Sequence, residues 1–344
     1  MVSDITAYLI VFVGVLLLAA VGTPIARKIG LRLDAVDQPD ASRKVHTVPT
    51  PRLGGIAIFL STLIAAFLLR GAFNELSGIL VGATLVSFLG FWDDRFSLSA
   101  GVKLVGQMFA VGLLILSGVR VTAMPADWLD IFVTFLWVVG ITNALNLLDN
   151  MDGLSAGIAA IASAHFAIMC GFSGQYLVGA LSVAVMAACM GFLVHNWNPA
   201  TIFMGDSGSL FLGFMLASLG IKLRFPDNVP FVTWMIPILV LGVPIFDTTL
   251  VTISRLRRGL NPLTTPGMDH TSHRLTYAGF SRREAVFLLY ITAFVLGLLA
   301  VFVTQATIFE GYLVGGVVLV AGMIGIWRLE LPPFWPPRAV EAGE

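Results

Sequence analysis

Charge is what this chain has least of: only 12% of its 344 residues are Asp, Glu, Lys or Arg, and the acidic and basic counts balance at 20 each. With 57% of residues hydrophobic, that scarcity excludes a disordered or solvated chain. The balance, together with the lack of any basic stripe interleaved with aromatics, excludes nucleic acid as a partner. Cysteine is almost missing. Cys170 and Cys189 both fall in apolar runs, so they offer neither a disulfide framework nor a thiolate set for zinc and read as small hydrophobes. The G-x-x-x-x-G-K-[ST] pattern is absent, which argues against an ATP-driven motor. No repeat period appears, and no basic n-region or A-x-A-like site accompanies the first apolar run, whose first basic residue is Arg27, so that run is expected to be retained. The Pro-rich end "LPPFWPPRAVEAGE" is expected to be a surface tail over 329–344.

What the chain has instead is apolar runs approaching the ~20 residues that a helix needs to cross ~30 Å of hydrocarbon. Polar breaks separate eleven of them, near 6–26, 53–70, 76–92, 101–118, 128–148, 154–172, 176–195, 208–224, 231–253, 285–305 and 309–328. The expectation is an all-α polytopic integral membrane protein of about eleven transmembrane helices, forming one domain over 1–328. Lys and Arg gather on the cytoplasmic side of membrane proteins. With the N-terminus outside, only Arg70, Arg120, Lys222 and Arg224 lie on the outer side, leaving 16 of the 20 Lys and Arg residues inside. The odd span number then puts the C-terminus in the cytoplasm.

That orientation gathers the carboxylates. Asp93 and Asp94 in "FLGFWDDRFSLSAGVK" end the third span, Asp149 and Asp152 in "NALNLLDNMDG" end the fifth, and Asp206 in "NWNPATIFMGDSGSL" precedes the eighth. Any one of them reads as a helix cap or a solvated loop end. Together with Asn143 and Asn146 they are hard oxygen ligands without thiolates, which suits Mg²⁺ or Mn²⁺. Arg43, Lys44, His46, Lys103, Arg255, Arg257, Arg258, His270, His273 and Arg274 stand in the same compartment. A divalent metal on carboxylates, ringed by cations, is equipment for phosphoryl transfer, and "NLLDNMDG" would be its polar floor at the membrane surface. Gly205 and Gly208 serve equally as a phosphate-facing turn or as a cap. His270 and His273, at i and i+3, lack a third nitrogen or sulfur ligand nearby and are read as phosphate or packing groups. His165 and His195 are read as packed or interfacial. Asp247 in "GVPIFDTTL" lies inside the ninth span, where a charge is costly without a partner, and Arg255 two turns on is the expected one.

In order along residues 43 to 275, "RKVHTVPTPRLGG", "FWDDR", "NALNLLDNMDG", "FMGDSGSLFLG", "PIFDT" and "DHTSHRL" resemble the polyprenyl-phosphate N-acetylhexosamine-1-phosphate transferases, the MraY/WecA/TagO family. "PIFDT" and the His-bearing motif before Arg-Leu look more like the WecA/TagO branch, which uses UDP-GlcNAc. The chain departs from that branch at Ser272, where a His is usual. The resemblance implies transfer of a sugar 1-phosphate from a UDP-sugar to undecaprenyl phosphate with Mg²⁺ required, at the cytoplasmic face of the inner membrane. It places Asp93, Asp94 and Asp149 in catalysis, with Asp93 as the first choice for acting on the lipid phosphate. It puts the metal on Asp206 with Asp149, and Asn143, Asn146 and Asp152 near the nucleotide. Phe203 would stack on uracil, while Lys44, His46, Lys103, Arg255, His270, His273 and Arg274 would hold phosphates.

A phospho-MurNAc-pentapeptide transferase is the alternative within the family. A transporter is the alternative outside it, disfavoured because transport sites tend toward the midplane and these groups gather at span ends. An intramembrane aspartyl protease would need Gly-x-Gly-Asp, and residue 203 is Phe. A homodimer is compatible with the sequence.

Overall fold

The computed structural model describes residues 2–37, 50–69, 72–226, 228–262, 265 and 267–335, so Arg43, Lys44, His46, Arg70 and the tail beyond 335 lie outside the described residues. The chain divides into two compact units, Met1–Arg224 and Phe225–Glu344.

The first unit holds α1 (Val2–Arg32), a two-residue antiparallel pair β1 (Val36–Asp37) and β2 (Thr50–Pro51), then α2 (Gly54–Leu68), α3 (Ala72–Phe96), α4 (Ala100–Leu116), α5 (Asp127–Leu148), α6 (Leu154–Phe172), α7 (Tyr176–Asn196) and α8 (Asp206–Lys222). The centre of this unit is α8, buried at every residue from Ser207 to Ile221. Its small residues make that possible, since backbones can approach only where side chains are short. A Cβ on Gly55 of α2 would lie 2.1 Å from the Gly208 nitrogen, one on Gly90 of α3 would lie 2.2 Å from the Asp206 carbonyl oxygen, and one on Gly213 would lie 2.5 Å from the Thr142 Cα of α5. Three helices are thereby clamped around the first half of α8. By contrast α1 exposes Leu9, Ile10, Val13, Leu17 and Val21, an apolar face of the kind that lipid covers.

The second unit holds α9 (Pro230–Thr233), α10 (Met235–Val240), α11 (Gly242–Arg257), α12 (Thr271–Tyr277), α13 (Arg282–Val303) and α14 (Ile308–Leu329). Capping boxes at Ser281/Glu284 and Thr307/Glu310 start α13 and α14.

Each expected span falls on helix, and among the described residues seven helices are long and apolar enough to cross a membrane, with α2 and α4 apolar but shorter. The protein is therefore an all-α, polytopic membrane protein. One expectation is corrected: the ninth span, 231–253, is not continuous but is broken into α9, α10 and α11. Pro237 and Pro244 supply the reason, because each lacks the N–H that would continue the ladder. The chain resumes at Gly242, where Pro244 sits in the first turn of α11 and its missing donor costs nothing.

Candidate active site

In the first unit the carboxylates converge on the N-terminus of α8. Gly205, its N-cap, adopts φ 72° and provides no side chain to cap the helix. Nor could it carry one, since a Cβ there would lie 2.0 Å from the Arg52 carbonyl oxygen. The cap comes from another helix. Asp94, in the last turn of α3, accepts from the Asp206 N–H at 2.8 Å and from the Ser207 N–H at 3.0 Å. The negative charge also suits the positive end of the α8 dipole.

Asp93 is rotated by ~100° from its neighbour on the same helix and faces α4 instead. A tight turn through Ser97, at φ 52°, and the Ser99 N-cap return the chain so that Lys103 lies in the first turn of α4. Its ammonium donates to Asp93 Oδ2 at 2.9 Å and to Asp206 Oδ2 at 3.0 Å. The other Asp93 oxygen accepts from the Leu98 N–H at 2.6 Å. Asp206 Oδ1 accepts from Asn146 Nδ2 at 2.9 Å, and the same amide also donates to Ser209 Oγ.

Asp149 stands one residue past the end of α5, and its side chain accepts no hydrogen bond among the described residues. Burial, then the charges of Asp206, Asp94 and Asp152, push its carboxyl up to about 8. Four acidic groups therefore repel one another here with one ammonium among them, and a divalent cation would relieve that repulsion. The donor set fits Mg²⁺ in kind. Among the described residues no three His, Cys, Asp or Glu side chains are grouped closely enough to hold an ion.

The remaining expected residues of this unit are placed as follows. Asn143 exchanges hydrogen bonds with Gln107, Nδ2 donating to Oε1 at 2.6 Å. Asp152 accepts from Asn198 Nδ2 at 2.9 Å and from the Ala200 N–H at 3.1 Å, so it fastens the loop after α7. Phe203 is half-buried, and its backbone pairs with Pro51 and Gly54, which pins that loop beside α2. His165 and His195 bond the carbonyls of Ile161 and Ala20. The sequence reading missed Gln107, Ser209 and Asn196, which donates to the Ile202 carbonyl and accepts from the Gly153 N–H. Nothing but their place beside the motifs could have marked them.

The second unit builds a separate polar network. Asp247 does not pair with Arg255: eight residues apart on one helix, the two are separated by ~12 Å along the axis. Asp247 Oδ2 instead accepts from His270 Nδ1 at 2.7 Å, and Oδ1 accepts from the Thr271 N–H at 2.7 Å. Arg255 donates to both oxygens of Asp269, at 2.9 and 2.8 Å, and to the Pro262 carbonyl. Burial works against the Asp269 charge, but Arg255 outweighs it and holds the carboxyl below its ordinary range. Arg274, with no exposed surface, donates to the Asp269 and Leu329 carbonyls and to Ser254 Oγ, each at 2.8 Å, and pairs with Glu330. Arg255 and Arg274, expected at phosphates, are thus engaged internally. His273 is pushed down to about 4 by burial and by His270, so it is neutral near pH 7. Asp269 was legible only as a letter inside "DHTSHRL", and its role as the Arg255 partner was not.

Among known proteins, a probable undecaprenyl-phosphate N-acetylglucosaminyl 1-phosphate transferase of Bacillus subtilis is 38% identical over 319 residues, covering 90% of this chain and 87% of the relative. The chain belongs to the polyprenyl-phosphate N-acetylhexosamine-1-phosphate transferases. The description "Glycosyl transferase family 4" matches residues 76–224, the stretch that carries Asp93, Asp94, Lys103, Asn146, Asp149 and Asp206. A decaprenyl-phosphate N-acetylglucosaminephosphotransferase of Mycobacterium leprae is 33% identical over 338 residues, 85% of this chain and 83% of the relative. A phospho-N-acetylmuramoyl-pentapeptide-transferase of Bacillus cytotoxicus is 29% identical over 279 residues, 74% of this chain and 83% of the relative.

Proposed function

We propose that this transferase moves GlcNAc 1-phosphate from UDP-GlcNAc to undecaprenyl phosphate, releasing UMP and leaving undecaprenyl-diphosphate-GlcNAc in the membrane. The observation that carries the reading is the acidic cluster at the start of α8, bridged by Lys103, in a chain that matches two GlcNAc-phosphate transferases over most of its length. A lipid phosphate oxygen forms the new bond to the sugar-bound phosphorus, and the bond to the UMP phosphate breaks with its electron pair leaving on UMP. Lys103 is assigned to phosphate oxygens, and its ammonium, held between Asp93 and Asp206 at the cluster, supports that assignment. Asp93, held by Lys103 and the Leu98 N–H, faces the same point and is assigned to the lipid phosphate as base or orienting group. Asn146 holds Asp206, and Asp94 fixes the backbone on which Asp206 stands.

Mg²⁺, with Mn²⁺ as a substitute, is assigned to Asp206 and Asp149, where it would neutralise the diphosphate and stabilise the departing UMP. In the second unit, His270 is assigned to a phosphate through Nε2. The Lys and Arg distribution supports an N-terminus outside, a C-terminus inside and a site at the cytoplasmic face of the inner membrane, where UDP-sugars are found. The test is UMP release from UDP-GlcNAc by purified protein that depends on added undecaprenyl phosphate, with mass analysis of the lipid. Release without the lipid, or transfer only from UDP-MurNAc-pentapeptide, would displace this reading.

A further inference from the structure

Asp247 is 1% exposed and lies within a helix that the sequence marks as a membrane span, where an acidic group is retained only with a partner. Its partners lie 23 and 24 residues onward, and each takes one oxygen. One is the Thr271 N–H, the first helical donor of α12. The other is the ring of His270, the residue at the N-cap of that helix, which offers no side-chain cap of its own. A single carboxylate thus sets both where α12 begins and how the ring at its start is turned. A carboxylate only accepts, so Nδ1 must carry the hydrogen of this bond. Nε2 is then the nitrogen left for a ligand, and it has no hydrogen-bond partner among the described residues.

The neighbouring cations cannot take over this work without breaking other bonds. Arg255 and Arg258 both hold Asp269, and Arg274 is enclosed by carbonyls, Ser254 and Glu330. The ring of His273 lies 6.2 Å from that of His270 at a steep angle, beside it and not between it and Asp247.

We propose that Asp247 is a positioning residue for the transfer reaction that acts through His270: by accepting the Nδ1 hydrogen it fixes the direction of the imidazole, so that Nε2, which donates to a phosphate oxygen from the imidazolium form, is aimed at a substrate phosphate. This rests on the transferase reading above and on His270 as a phosphate contact. Loss of the orienting partner of a metal-ligating histidine costs about 10- to 100-fold, and the same range is expected for a phosphate-facing one. Because Asp247 works through the ring, its removal matters only while the ring is there.

The experiment is UMP release by full-length protein in nanodiscs, comparing the parent, Asp247→Asn, Asp247→Glu, His270→Gln and the double variant Asp247→Asn/His270→Gln. Asp247→Asn should lower kcat by about 10- to 100-fold with little change in the KM for UDP-GlcNAc, and His270→Gln should cost at least as much. The double variant should equal His270→Gln alone, and Asp247→Glu should restore part of the loss. An unaltered rate for Asp247→Asn overturns the proposal. So does the same fold-loss in the His270→Gln background, which would make Asp247 a part of the scaffold only. ¹⁵N spectra of the histidine-labelled parent provide a reading independent of activity and of any variant's folding: Nδ1 of His270 should carry hydrogen, and a ring protonated on Nε2 alone refutes the dyad. If the parent releases no UMP, the transferase reading fails while the spectra still decide the dyad.

Discussion

Replacing Lys103 by Gln separates two jobs that one ammonium performs. Its Nζ lies 2.9 Å from Asp93 Oδ2 and 3.0 Å from Asp206 Oδ2, so the two oxygens are no further apart than the 5.9 Å that these distances allow. At an effective dielectric near 20, two unit negative charges about 6 Å apart repel by roughly 3 kcal/mol. Lys103 cancels that repulsion, and Gln does not. A divalent cation arriving at Asp206 in the variant would meet less positive charge and two uncompensated carboxylates. Since ~1.4 kcal/mol is a factor of ten, the Mg²⁺ concentration for half-maximal activity should fall by about tenfold or more even if screening halves the effect. Turnover should nevertheless drop by about 10²–10³-fold, the usual cost of removing one preorganised donor from a developing negative charge. The assay is UMP release titrated with Mg²⁺ in a preparation first cleared of metal by EDTA. If Lys103→Gln needs more Mg²⁺ than the parent, Lys103 supports the metal site instead of competing with it, and the reasoning fails.

Four further outcomes are expected. EDTA should abolish activity and Mg²⁺ or Mn²⁺ should restore it, whereas full activity in metal-free protein would sink the assignment to Asp206 and Asp149. Asp206→Asn should collapse turnover and raise the Mg²⁺ requirement, while Asp93→Asn should lower turnover by about 10²–10⁴-fold with UDP-sugar binding retained and partial rescue at higher pH; equal loss at every pH would remove proton transfer from Asp93. Because the Asp149 carboxyl is pushed up to about 8, ionising it costs the fold stability that is intact below the ordinary carboxylate range and is lost as pH rises toward 8. Thermal unfolding of metal-free protein should therefore shift to lower temperature between about pH 5 and pH 8, less so in Asp149→Asn and less so with Mg²⁺ added; identical pH curves for parent and variant would refute this. A reporter fused after Glu344 should be cytoplasmic and one inserted near Asn74 external, and the reverse would put the acidic cluster away from UDP-sugars.

The helices were legible because lipid demands long apolar runs, and the transferase family was legible in the motifs that stand at the ends of those runs. Partners were harder to read. Spacing along one helix suggested Arg255 for Asp247, yet eight residues place the two beyond reach, and the actual partner follows a turn that brings His270 back. The break in the ninth span was written in Pro237 and Pro244, but hydropathy alone smooths over prolines because they do not change the apolar average.

Asp93 and Asp94 mark where sequence reasoning must stop and geometry must take over. They are the same residue type, adjacent, at the same span end, and nothing in "WDDR" distinguishes a group that meets substrate from one that holds the scaffold. The helix turns them ~100° apart, and their surroundings do the rest. Asp94 meets two backbone N–H groups that no other side chain can cap, because Gly205 has no room for one. Asp93 meets a mobile-ended lysine that a phosphate can draw away, since an ammonium on a flexible stem exchanges partners more readily than a helix terminus does. The base role proposed for Asp93 accords with its having the replaceable partner, whereas Asp94, whose carboxyl burial pushes up to about 7, is bound to the fold by bonds whose loss would move Asp206 itself.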